Sequence, residues 1–214
     1  MDRKVKDGFF ITFEGGEGTG KSTQCQLLGD FFAEEKTPYI LTREPGGSPG
    51  AEEIRNLLVK GDKGRWDALT ETLLFMAARR NHLTTKIWPA MAENKVVICD
   101  RFLDSTLAYQ GYGYGKNEQI IADIQGLYHK IAGDFQPNLT FILDIDPTVG
   151  LKRSCARAGN TEQRFESMDM TFHQNLRSGF LELAKQNPRY VVVDADRPVT
   201  VIQQQIRQIV KERL

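Results

Sequence analysis

The chain has 214 residues, 40% of them hydrophobic and 26% charged, which suits one α/β domain with a sizeable core and a polar surface. Its 28 basic and 28 acidic residues balance to a net charge of +0, so it carries no basic footprint for a nucleic-acid polymer. No apolar run approaches the roughly 18 residues of a membrane span, the charged stretch Met1 to Asp7 is no signal peptide, and Cys25, Cys99 and Cys155, without a C-x-x-C pair, read as free thiols of a reducing cytoplasm.

Residues 8–13 are continuously apolar and predict a buried parallel strand. The strand runs into Gly15-Gly16-Glu17-Gly18-Thr19-Gly20-Lys21-Ser22-Thr23, and a helix is predicted over 21–35. From Gly15 to Ser22 the pattern is G-x-x-x-x-G-K-S/T, the phosphate-binding P-loop. Glycines let backbone N–H groups turn inward around phosphate oxygens. The following helix aims its positive end at the same anion. Lys21 would reach the β- and γ-phosphates, and the Ser22 hydroxyl would ligate Mg²⁺.

Thr37-Pro38 ends that helix, and Tyr39 to Thr42 predicts a second strand. Arg43 to Gly50 is a loop rich in proline and glycine. Residues 51–59 form a short helix, and Gly61 to Gly64 a turn. Residues 67–93 predict one long helix with a kink at Pro89. Its core face is Leu69, Leu73, Met76, Leu83 and Ile87. Phe75 and Arg79, at i and i+4, share a face rotated away from that row. Val96 to Cys99 predicts the third strand, 118–133 a helix, and Leu139 to Leu143 the fourth strand. A helix follows Pro147, then an arginine-bearing segment from Arg153 to Arg164. Residues 169–186 are helical, Tyr190 to Val193 predicts a fifth strand, and 198–213 a closing helix. Strands alternating with helices imply a parallel sheet covered on both faces. Residues 1–214 therefore read as a single domain, with a small lid at about 153–166.

Open α/β sheets bind ligands outside the carboxyl ends of their strands. Arg43 and Glu44 follow strand two, Asp100 and Arg101 strand three, Asp144 and Asp146 strand four, and Asp194 strand five. Asp100 suits a carboxylate beside a P-loop magnesium ion. Asp144 is its rival, with a helix N-cap or turn acid before Pro147 as the alternative. Arg43, Arg79 and Arg101 fall on three elements near one sheet edge, and arginine's planar fork matches phosphate oxygens. Together they point to a second anion site. Arg153, Arg157 and Arg164 flank Gly159 and Asn160 and suit either a mobile lid bringing cations to a transferring phosphoryl group or a solvated basic loop. His82, His129 and His173 show no metal-ligand spacing or carboxylate partner and read as structural or surface residues. Cys25 and Cys99 read as packed thiols.

These residues resemble the thymidylate kinases, of the nucleoside-monophosphate kinase group. The resemblance rests on Phe-Glu-Gly-Gly-Glu-Gly-Thr-Gly-Lys-Ser-Thr (13–23), Thr-Arg-Glu-Pro-Gly-Gly (42–47), Leu-Leu-Phe-Met-Ala-Ala-Arg (73–79) and Asp-Arg-Phe (100–102). It continues through Ser105, Ala-Tyr-Gln-Gly (108–111), Leu-Asp-Ile-Asp-Pro (143–147) and Arg-Phe-Glu (164–166). It implies a three-layer P-loop NTPase fold, a five-stranded parallel sheet with helices on both faces and a small lid. It implies transfer of the γ-phosphoryl of ATP to dTMP with Mg²⁺, giving dTDP and ADP on the way to dTTP. By the resemblance, Glu17 approaches the acceptor sugar, Phe75 stacks on thymine and Arg79 bonds the base edge. Arg43 and Arg101 hold the acceptor phosphate. Tyr109 crowds the sugar 2′ position, and Ser105 and Gln110 line the base pocket. Pro45 follows a cis peptide bond in the family. Gly18 stands where some members carry a cation, so the catalytic charge passes to the lid arginines. Family members are commonly homodimers.

The rival readings are another deoxynucleotide or nucleoside kinase on the same scaffold, in which Glu44 or Asp100 could serve as base, and a non-catalytic ATP-binding module. A GTPase would need N-K-x-D, and Asn94-Lys95-Val96-Val97 lacks the terminal acid. Asp194-Ala195-Asp196 is the candidate for reading adenine.

Overall fold

A computed structural model of the chain describes residues 8–59, 65–156 and 165–214. Arg157, Arg164 and the turn expected at 61–64 lie outside the described residues. Among the described residues the strands are β1 (Phe9–Glu14), β2 (Tyr39–Arg43), β3 (Val96–Asp100), β4 (Leu139–Asp144) and β5 (Tyr190–Asp194). They form one parallel sheet in the order β2-β3-β1-β4-β5, with β1 at the centre. That order puts the carboxyl ends of β1 and β3 side by side, with Phe13 in register with Asp100.

Alternation along the strands sends side chains to two cores. Ile11, Phe13, Ile98 and Phe141 face α1 (Lys21–Glu34) and α9 (Val199–Arg213). Phe10, Val97 and Cys99 face α3 (Ala68–His82) and α6 (Glu118–Ala132). Ile142 packs on α8 (Met170–Ala184). Layers of helix on both faces explain why these strands read as unbroken apolar runs. The P-loop NTPase architecture expected from the sequence is the one observed. No helix among the described residues is long and apolar enough to cross a membrane.

Two expectations fail in instructive ways. The helix expected over 67–93 is α3, a π-helical stretch from Leu83 to Ile87, and then α4 (Trp88–Ala92). Pro89 falls in the first turn of α4, where its missing N–H is least costly. Leu69 and Leu73, read as core, are 58% and 48% exposed. The inward face of α3 is mainly polar instead, with Glu71, Thr72, Arg79 and His82 buried beside Met76 and Ala78. Arg79 from that face lines the cavity, and of the expected row only Leu69 and Leu73 point outward, while Met76, Leu83 and Ile87 are buried as expected. Residues 102–117, where the sequence pattern yields no element, hold α5 (Leu103–Thr106) and a π-helical stretch from Leu107 to Tyr112. From Asp104 to Gly113 every residue is buried, so the stretch lacks the amphipathic period that betrays a helix.

Candidate active site

The P-loop links β1 to α1. Gly18 has φ 67°, and a Cβ there would lie 1.8 Å from the Gly150 carbonyl oxygen of α7 (Pro147–Cys155). Any side chain at position 18 would strike the backbone of α7. The Lys21 ammonium donates to the carbonyls of Gly15 and Gly16, at 3.1 and 2.6 Å, and to Thr19 Oγ1 at 3.2 Å. Burial and the Arg101 charge pull its pKa down to about 8, against the pull of Glu17, Asp100 and Glu14. Gly20 caps α1 in a left-handed conformation, and Thr23 is exposed on its first turn.

Ser22 Oγ donates directly to Asp100 Oδ2, so the sheet brings together the two residues assigned to Mg²⁺. Among the described residues no group of three or more His, Cys, Asp or Glu could hold a metal. A hard hydroxyl and one carboxylate instead fit a magnesium ion that completes its shell with water and phosphate oxygens. The rival, Asp144, is paired with an arginine and is not the N-cap of α7. Arg177 grips it with two bonds at 2.7 and 2.8 Å, and Asp146 caps α7 instead.

A cavity of about 450 Å³ opens beside Lys21 and Ser22. It is lined by Glu17, Gly18, Gly20, Lys21 and Ser22 and by Phe75, Arg79, Thr106, Tyr109 and Gln110. Arg43, Glu44, Asp100, Arg101, Ser105, Phe165 and Glu166 also line it. Gly15, Gly16 and Thr19 back the loop from the side of α8.

Arg101 occupies the left-handed region, with φ 69°. Its guanidinium donates to Glu17 and Gly15 at 3.0 Å and to Ser105 at 3.2 Å, and lies over the Tyr109 ring. Burial opposes its charge, but Tyr109, Glu17 and Asp100 around it raise its pKa above the ordinary arginine value. Glu17 also accepts from the Tyr109 hydroxyl. Burial would raise the Glu17 carboxyl, yet Arg101, Lys21 and that hydroxyl bring it down to about 2. Burial pushes the Tyr109 phenol well up, so it remains a donor.

Arg79 is almost fully buried. It donates to Glu44 at 2.7 Å and to Thr106 at 2.9 Å, and it lies over the Phe102 ring. Glu44's other oxygen meets His82 Nδ1 at 3.0 Å. Both oxygens of Glu44 are thus committed to its neighbours, which makes it a support for Arg79. The sequence reading missed that His82 has a carboxylate partner, because the two are 38 positions apart. His129 also sits 3.3 Å from a carboxylate, that of Asp134, at the surface. Gln110 donates to Glu71 at 3.0 Å, while its carboxamide oxygen is buried with no hydrogen-bond partner. A buried acceptor beside Phe75 and Arg79 is a place for a ligand donor.

Two expected cations are held at the surface. Arg43 lines the cavity but is half exposed and pairs with Glu52 at 3.2 Å. Arg153 is not among the lining residues. It donates to the Ala195 carbonyl at 2.8 Å and to Asp196 at 2.6 Å, in the loop after β5. Cys25 and Cys99 are buried thiols and Cys155 is exposed.

A family model described as thymidylate kinase matches residues 13–206. The chain belongs to the thymidylate kinase family. It is 49% identical to the thymidylate kinase of Caulobacter vibrioides, over 98% of this chain and 99% of that one. It is 45% identical to that of Ruegeria pomeroyi, over 97% and 96%. A crystal structure of thymidylate kinase from Ehrlichia chaffeensis superposes with a TM-score of 0.74 at 37% identity, covering 95% of this chain and 99% of that one. In this member of the thymidylate kinase family the Glu44–Pro45 peptide bond is cis, as the sequence resemblance implied.

Proposed function

We propose that the protein transfers the γ-phosphoryl of ATP to dTMP, giving dTDP and ADP. Membership of the thymidylate kinase family makes it an ATP-dependent phosphotransferase. The observation that carries the acceptor is the continuity of the cavity, in which one space touches Lys21 and Ser22 at one end and Phe75, Arg79 and Gln110 at the other. The nucleophile is an acceptor phosphate oxygen, whose second pKa is roughly 6, so it is largely ionised at neutral pH. No strong general base is required, and positioning with charge neutralisation suffices.

Gly15 to Ser22 hold the ATP phosphates, with Lys21 on the transferring group. Ser22 and Asp100 would hold Mg²⁺, which when bound shields the negative charge of the phosphates. Arg101 and Arg43 take the acceptor phosphate. Phe75 stacks on thymine, and Arg79 and the Gln110 oxygen read its edge. Glu17 and Tyr109 line the sugar. The lid segment, with Arg153, Arg157 and Arg164, closes over ATP and keeps water from the γ-phosphate. The whole chain acts as one kinase domain in the cytoplasm, which its free thiols suit. The exposed Leu57, Leu69 and Leu73 on α2 (Pro49–Val59) and α3 offer an apolar face for a homodimer.

Steady-state rates with dTMP, dUMP, dGMP, AMP and thymidine test the assignment. A dominant preference for dTMP is expected. Preference for any other acceptor, or ADP release that needs no acceptor, sinks it.

A further inference from the structure

Glu14 is fully buried at the end of β1 and is used by no step above. One of its oxygens accepts the Phe102 amide at 2.8 Å. The other meets the Ser105 hydroxyl, which in turn accepts from Arg101. We propose that Glu14 is a positioning residue for the acceptor phosphate, acting through Arg101. This rests on the reading of Arg101 as an acceptor-phosphate ligand.

The backbone supplies the argument. Arg101 is a non-glycine residue in the left-handed region, a conformation that persists only where its surroundings over-determine it. The strand feeding the P-loop supplies two of the restraints. The Phe13 carbonyl accepts the Arg101 amide at 2.9 Å, and Glu14 takes the next amide in the chain. A third holds the side chain, since the Ser105 hydroxyl bonded to Glu14 and the Gly15 carbonyl both accept from one nitrogen of Arg101. The residue that delivers the chain to the ATP phosphates therefore also sets the arginine for the other substrate.

The chemistry of the group suits that task. Burial, with Asp104 behind it, raises the Glu14 carboxyl to about 8. Its surroundings thus favour the uncharged form. An uncharged carboxyl can hold the turn without competing with a phosphate for the Arg101 charge.

The test is a set of variants of the full-length enzyme with KM measured separately for each substrate. Glu14→Ala should raise KM for dTMP by roughly tenfold or more, the loss of one or two hydrogen bonds. KM for ATP should move less than twofold. Glu14→Gln keeps an acceptor for the Phe102 amide and should restore KM for dTMP. Thermal unfolding checks that each variant is folded. If Glu14→Ala does not fold, Glu14→Gln and Ser105→Ala carry the test, with Ser105→Ala expected to raise KM for dTMP alone. Equal rises in KM for both substrates, or a change in kcat with neither KM altered, overturn the proposal. Arg101→Ala is run alongside. If it leaves KM for dTMP unchanged, the reading of Arg101 itself fails. If it raises that KM and neither Glu14→Ala nor Ser105→Ala does, only the role of Glu14 fails.

Discussion

Arg79 and Arg101 differ from Arg43 and Arg153 in how they are held. The first pair is 2% and 18% exposed, and each guanidinium is fixed by partners from two or more elements. The second pair is 54% and 43% exposed, each held by one surface carboxylate, with a single carbonyl added for Arg153. Buried, multiply bonded arginines are set before substrate arrives, so they cost little ordering on binding. Exposed ones must be recruited. The buried pair is therefore suited to selection, and the exposed pair to rearrangement on binding.

The largest effect should come from the residue that serves the transferring phosphate itself. Lys21→Ala should lower turnover by roughly 10²-fold or more, because it removes charge stabilisation gained in the transition state. Single-turnover rates check this, and near-normal turnover would remove Lys21 from the mechanism. Next comes Arg79→Ala, which strands the buried Glu44 and His82. Breaking a buried pair costs about 3–5 kcal/mol, against about 0–1 kcal/mol for an exposed pair such as Arg43–Glu52. Urea unfolding of Arg79→Ala and Arg43→Ala side by side measures the difference. Equal losses would erase the distinction between the two classes of arginine.

That distinction was the part the sequence could not supply. The P-loop is contiguous, so Gly15 to Ser22 were legible from local pattern alone. Asp100 was legible because strand ends converge on one edge, and the contact with Ser22 bears out that convergence. Whether an arginine is buried depends on partners far away in the chain, such as Glu44 for Arg79 and Gly15 for Arg101. Nothing near Arg43 or Arg153 marks them as exposed. Leu69 and Leu73 failed for the same reason, since helical spacing identifies a face but not what the face meets. Glu14 was invisible because it looks like one polar residue at the end of an apolar strand.

The alkaline range separates Glu14 from Lys21. A carboxyl whose folded pKa is raised favours the folded state below its unfolded pKa, near 4.5, and loses that contribution as pH rises to about 8. Glu14→Gln cannot ionise, so its stability relative to the parent should rise between pH 5 and pH 8 and then level off. Chemical unfolding across that range reads it, and parallel curves would show that Glu14 titrates normally. Lys21 is lowered to about 8, so kcat/KM for ATP should fall above that pH in both proteins. Loss of that limb in Glu14→Gln would assign it to the carboxyl.

The smallest effect falls on the exposed arginine at the lid. Arg153 is held by Ala195 and Asp196, in the loop after β5 suggested for the adenine side. If it works where it is held, it supports ATP binding and not the chemical step. Arg153→Ala should then raise KM for ATP by roughly fivefold at most, the reach of an exposed ion pair worth about 1 kcal/mol. The value of kcat should stay within about twofold. A large fall in kcat at unchanged KM would mean that Arg153 leaves Asp196 and reaches the transferring phosphoryl group during turnover. In that event the recruited arginine would be catalytic and the buried pair would serve recognition alone, which is the strongest form of the contrast between the buried and the exposed arginines.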